Sequence, residues 1–184
     1  MFKSFCLRRK NEIIEILKSR IVQTNAINRT AYLMPIVSNL FSPNQNVTLI
    51  DIGTSSGLLL NFDKYQFEYD SNPRYGSGDV KIKTKILEGS LPKFDQIKSV
   101  NRKIGIDQNP LFLSDAKDAL WLKALIWPDQ ISRFKRMESA IRVAGSSGIE
   151  MFRANSVNQF RKIITPISKE MNLFILHTHV LYQF

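Results

Sequence analysis

The sequence predicts an α/β fold built on an open, mostly parallel sheet with helices on both faces. Three observations carry this. Four short apolar runs, at residues 47–51, 103–107, 149–153 and 173–176, are separated by stretches long enough for parallel crossovers. The first carries β-branched residues on both alternating faces, and the first two end in an acid, Asp51 and Asp107. Continuous apolar runs of this kind are parallel strands covered on both sides. The first run also opens into Gly-Thr-Ser-Ser-Gly, a small-residue loop leading into a helical pattern.

In chain order, residues 11–41 read as N-terminal helices. Ile13, Ile14, Ile16, Leu17 and Ile21 supply an apolar stripe, and Pro35 is expected to force a new start or a kink. Residues 22–29 are polar for a core helix, and residues 42–46 are a turn. After Gly57 a short helical stretch gives way to residues 61–63 and 65–69, which look extended. Residues 70–79 carry turn chemistry. Val80, Ile82, Thr84 and Ile86 then alternate with Lys81, Lys83 and Lys85, the pattern of a half-buried strand. Lysines on such a strand discourage aggregation more often than they bind anions. Residues 61–102 are therefore an inserted β-hairpin region near the mouth of the predicted pocket.

The strand at residues 103–107 follows. Ser114 is placed to cap a helix whose first turn carries Asp115 and Asp118. Trp127-Pro128 closes that helix, and a second carries Ile131, Phe134, Met137 and Ile141 on one face, with Gly145 after its end. Residues 149–153 are a third core strand, Ser156 caps a helix reaching Pro166, and residues 173–176 form a fully buried strand running into His177-Thr178-His179.

Open α/β sheets bind ligands beyond the carboxyl ends of their strands, which directs attention to the 53–57 loop. A dinucleotide fingerprint would need glycines where Ser55 and Leu58 stand, and no Gly-Lys-Ser/Thr follows for a phosphate-cradling loop. The Asp-x-Gly-x-x-x-Gly arrangement resembles motif I of class I S-adenosylmethionine-dependent methyltransferases, with Ser55 in place of the usual middle glycine. Asp107 lies where a carboxylate accepts ribose hydroxyl protons. Asp70 is its rival by spacing, but the chain before Tyr65 is too short for a parallel crossover.

The 184 residues fit one domain, with 43% apolar residues to build a core. A single cysteine, Cys6, excludes an internal disulfide framework and suits a reducing cytoplasm. No run approaches the roughly 20 apolar residues of a membrane helix, and the N-terminus lacks a signal-peptide pattern. The net charge of +10 is spread along the chain with small clusters at residues 8–10, 81–85 and 133–136. It reads as a solvated basic surface rather than a specific nucleic-acid site.

Several separated motifs coincide with one family: Gln23-Thr24-Asn25 with Arg29, Asp51-Ile52-Gly53 with Ser56-Gly57-Leu58, Gly105-Ile106-Asp107 with Asn109-Pro110-Leu111, Trp127-Pro128-Asp129-Gln130, and His177 with Val180-Leu181-Tyr182. The chain resembles a bacterial domain-of-unknown-function family with a methyltransferase-like, Rossmann-like fold. In that pattern a Glu stands where this chain has Ala26, and an acid where it has Asn155. The family is longer at both ends, so the resemblance implies a chain truncated at both ends, with an apolar strand edge free to pair in a homodimer.

The expected function is binding S-adenosylmethionine and transferring its methyl group. Asp51, Gly53, Thr54, Ser55 and Gly57 would receive the methionine part, with Asp107 and Gln108 at the ribose and Asn155 and Ser156 at the adenine edge. Gln23, Thr24, Asn25 and Arg29 would face the acceptor, and His177 would serve as base, histidine being the side chain that titrates near neutrality. Two alternatives stand beside it. One is a non-catalytic binding module. The other is a metal-dependent hydrolase using His177 and His179, for which spacing supplies no third ligand.

Overall fold

The computed structural model describes residues 1–23, 25–41, 45–94, 100–168 and 172–178. Two helices, α1 (Phe2–Arg8) and α2 (Lys10–Ser19), open the chain, and an extended segment leads through a 3-10 turn (Ile27–Arg29) into α3 (Thr30–Leu40). Then come β1 (Val47–Ile52), a 3-10 helix (Leu58–Lys64), β2 (Gln66–Tyr69), β3 (Lys81–Thr84) and β4 (Arg102–Asp107). The chain continues through α4 (Ala116–Ala124), α5 (Ile131–Ala144), β5 (Glu150–Arg153), α6 (Val157–Ser168) and β6 (Asn172–His177).

The main sheet has the order β5-β4-β1-β6, and every pairing is parallel. Central position explains the composition of β1: Leu49 and Ile50 point to opposite faces and both are fully buried. On one face Leu49 joins Leu60, Phe62, Leu122 and Met137 beneath the Leu58–Lys64 helix, α4 and α5. On the other, Ile50, Ile104 and Ile106 meet Phe160, Ile163, Ile164 and Ile167, an i, i+3, i+4, i+7 stripe of α6. Each fully buried aliphatic side chain contributes about 1.5–3 kcal/mol relative to exposure. Helices on both faces of a parallel sheet make this a Rossmann-like α/β fold.

Several expectations are corrected. The strand at residues 173–176 lies at a sheet edge, as expected, but it is not fully buried: only Leu176 of β6 is buried and Ile175 is 42% exposed. Residues 149–153, expected as a core strand, form the other edge, where no residue of β5 is fully buried. The inserted region is not a hairpin: β2 and β3 pair in parallel. After β2 the chain turns back to make one antiparallel bridge, Phe67 with Tyr75, and then crosses to the other edge of β2. Gly78 permits that crossing, because a Cβ there would lie 1.9 Å from the Lys64 carbonyl oxygen. Residues 61–63 are helical rather than extended, and Asp115, not Ser114, caps α4 by accepting from Lys117 N–H at 2.8 Å. The apolar stripe of α2 finds no core, since no residue of α1 or α2 is buried.

Pro35 neither starts nor breaks a helix, and α3 runs through it. A proline inside a helix leaves the carbonyl four residues back without its donor. Here that carbonyl belongs to Ala31, and the buried Tyr69 hydroxyl donates to it at 2.6 Å. Burial raises the Tyr69 pKa well above its ordinary value, so the donor proton is retained. At the sheet's flank, buried Lys103 of β4 pairs with the partly buried Asp63 at 2.5 Å. Burial pulls the lysine pKa down while Asp63 opposes the shift.

Candidate functional site

The loop after β1 owes its shape to three left-handed residues. Gly53 has φ 71°, Ser55 φ 56° and Gly57 φ 75°. Glycine adopts this conformation freely, whereas a serine is strained there and needs support. The support comes from the neighbouring strand. Ser55 N–H donates to Asp107 Oδ2 at 2.7 Å, and Asn109 N–H donates to Asp107 Oδ1 at 2.8 Å. Gly53 N–H donates to the Ile106 carbonyl at 2.8 Å. One carboxylate thus locks together the loops that follow β1 and β4. Gly105 lets them close up, because a Cβ there would come within 2.6 Å of Thr54 Cγ2 and 2.7 Å of Met151 Sδ.

Above these loops lies a cavity of about 870 Å³, lined from the carboxyl ends of all four strands of the main sheet. Gly53, Thr54 and Ser55 come from β1, Asp107 and Gln108 from β4, Asn155 and Ser156 from β5, and Thr178 from β6. The extended segment between α2 and α3 forms the remaining wall, with Gln23, Asn25 and Arg29 among its contributions. Arg29 ties this wall to the tip of β6, donating from Nη1 to the Thr178 carbonyl at 2.9 Å and its hydroxyl at 2.8 Å. At the β5 tip Gln159 accepts from Asn155 N–H at 2.8 Å, fixing the entry to α6. The volume suits a small organic ligand or cofactor.

The loop beneath the cavity is polar and incompletely satisfied. Both carboxyl oxygens of Asp51 and the hydroxyls of Thr54, Ser55 and Ser56 are buried without a hydrogen-bond partner among the described residues. Buried polar atoms are normally paired, so such a concentration marks a place for water or a polar ligand. Burial pushes the Asp51 carboxyl up to about 7; nearby Thr54 and Arg29 oppose the shift and Asp107 adds to it. The Thr54 hydroxyl acts there without reaching hydrogen-bond geometry. Burial also raises the Tyr32 pKa, with Arg29 opposing and Asp51 reinforcing the shift.

Most of the expected site residues meet at this cavity: Gly53, Thr54, Ser55, Asp107, Gln108, Asn155 and Ser156 on the sheet side, Gln23, Asn25 and Arg29 opposite. Asp51 does not line it and is buried at the end of β1. Gly57 turns away, and a Cβ there would contact Ile149 at 3.1 Å. His177 is exposed at the end of β6 and is not part of the lining. Thr24 and His179 lie outside the described residues. Thr178 takes the lining position at β6 that His177 was expected to occupy; alternation along the strand separates the two neighbours. Phe160 and Leu58 also line the cavity, and their apolar character alone gave no sign of it. Among the described residues no group of three or more His, Cys, Asp or Glu is placed to hold a metal ion. Nor is any helix among them long and apolar enough to cross a membrane.

Fold and site together define a Rossmann-like α/β protein with a ligand-sized cavity at its strand tips. The chain belongs to a family described as an uncharacterized protein conserved in bacteria (DUF2332), whose model matches residues 1–184. Comparison with curated proteins and with solved structures finds no match.

Proposed function

We propose that the cavity binds S-adenosylmethionine and that the protein transfers its methyl group to an acceptor. The observation that carries this reading is the joined pair of loops: a left-handed Gly53–Ser55 turn beneath the cavity, bonded to an acid at the tip of the adjacent strand. The unpartnered polar atoms around Asp51 and Thr54 support it, because they fit a ligand with its own donors and a cationic group. When bound, this cofactor supplies an electrophilic methyl group.

The residues would divide the work by chemistry. Gly53 offers backbone without a Cβ, so a ligand can approach closely. Each Asp107 oxygen accepts one backbone N–H and keeps acceptor capacity for ribose hydroxyls. Asn155, Ser156 and Gln108 provide donors and acceptors for a heterocycle edge. Asp51, buried beneath the loop, would in its carboxylate form favour an ammonium group of the ligand, acting from below the lining rather than in direct contact. Gln23, Asn25 and Arg29 face the acceptor side, where alignment supplies most of the rate in a direct displacement.

One observation favours a second reading, a binding module without turnover: exposed His177 stands outside the cavity. Isothermal titration with the cofactor and with its demethylated product tests binding, and no heat with either discards both versions. Transfer of label from methyl-labelled cofactor to a component of a cell extract separates enzyme from module.

A further inference from the structure

We propose a second site, for a small oxyanion such as a phosphate or carboxylate group, in the cavity between α5 and the segment that walls the large pocket. This cavity, about 230 Å³, is bordered by Asn25, Asn28, Arg133, Arg136 and Met137. It contains two guanidinium groups and no acidic residue. Neither arginine has an ion-pair partner among the described residues. Paired like charges without a counter-ion are unfavourable, and an anion between them removes the penalty.

The two arginines are held in place by neutral groups. Gln130, the last residue of the Trp-Pro-Asp-Gln motif, accepts from Arg133 Nη1 at 3.1 Å. Asn28 Oδ1 accepts from Arg136 Nη1 at 2.7 Å, and the Lys81 carbonyl accepts from its Nε at 3.0 Å. A guanidinium has five N–H donors, so both arginines retain donors for a ligand. Asn25, which borders this cavity and the large one, keeps a buried Nδ2 with no partner among the described residues. Burial, and then the charge of Arg133, pull the Arg136 pKa below its ordinary value, as crowding of two cations requires. The volume admits one phosphate-sized group. The shared wall, residues 25–27, makes the site a neighbour of the large cavity. Neither arginine lines the larger cavity, so the anion site is separate from whatever that cavity binds.

The test uses inorganic phosphate as the probe. In the wild-type protein, phosphate at constant ionic strength should protect Arg133 and Arg136 from phenylglyoxal, read by peptide mass spectrometry. Thermal stabilisation by phosphate should exceed that by chloride at the same ionic strength. Charge-assisted hydrogen bonds of this kind are worth enough that R133Q should bind phosphate roughly tenfold more weakly or worse. Equal modification of both arginines with and without phosphate overturns the site, whether or not the variant folds. So does phosphate binding in folded R133Q at wild-type strength. Glycerol 3-phosphate identifies the source: tighter binding than free phosphate marks the anionic group of a larger ligand, and equal binding marks the free ion, the site standing in either case.

Discussion

Replacing Asp51 by asparagine should change how stability depends on pH. Burial raises the Asp51 carboxyl from 3.8 to about 7. The folded protein therefore holds this proton more tightly than the unfolded chain does. Between pH 4 and pH 7 the unfolded chain releases it first, so raising the pH favours unfolding. An interval of about three pH units at ~1.4 kcal/mol each amounts to a loss on the order of 4 kcal/mol. The contribution is fully present below pH 4 and fully lost above pH 7. D51N cannot ionise and lacks this slope. It brings a buried amide whose new donors have no evident partner, costing about 1–3 kcal/mol at every pH. The variant should be the less stable at pH 4 and the more stable at pH 8, with the two curves crossing between. Urea denaturation across that range, followed by the fluorescence of Trp121 and Trp127, gives both curves. The other titrating groups cancel in their difference. Curves that stay parallel to within about 1 kcal/mol would refute the burial argument.

Three further outcomes follow from specific contacts. Tyr69→Phe removes the donor that satisfies the Ala31 carbonyl opposite Pro35; denaturant unfolding should show a loss of about 1–3 kcal/mol, and an unchanged midpoint would mean the carbonyl finds another donor. Ser55→Gly relieves a left-handed serine and removes a buried unpartnered hydroxyl. It should gain about 1 kcal/mol, seen as a higher melting temperature, and a lower one would contradict the strain. Asp63→Asn leaves the buried Lys103 charge uncompensated and should cost about 3–5 kcal/mol, while the double variant D63L/K103M should recover much of that loss. A double variant no more stable than D63N would show that volume rather than charge dominates there.

The residues legible in the sequence are those whose chemistry is dictated locally. Gly53 and Gly57 stand where the backbone is left-handed, and Asp107 ends a strand whose crossover length forced it beside β1. Neither inference needs the rest of the molecule. The errors arise where a neighbour decides. An apolar run does not report how completely its faces are covered, so β6 reads as fully buried though only Leu176 is, and β5 reads as core though none of its residues is fully buried. The α2 stripe has the periodicity of a core helix, but periodicity does not supply a core. Pro35 is compatible with a continuous helix only because Tyr69, 38 residues away from Ala31, supplies the missing donor. The same holds at the candidate site. Its position follows from the order and direction of strands, while its electrostatics follow from what surrounds Asp51. That carboxyl is unusual through the absence of a partner, a property written in no single residue. The sheet side of the cavity is therefore built in part by the local turn at residues 52–55, whereas the opposite wall depends on Asn25 and Arg29, brought from elsewhere in the chain.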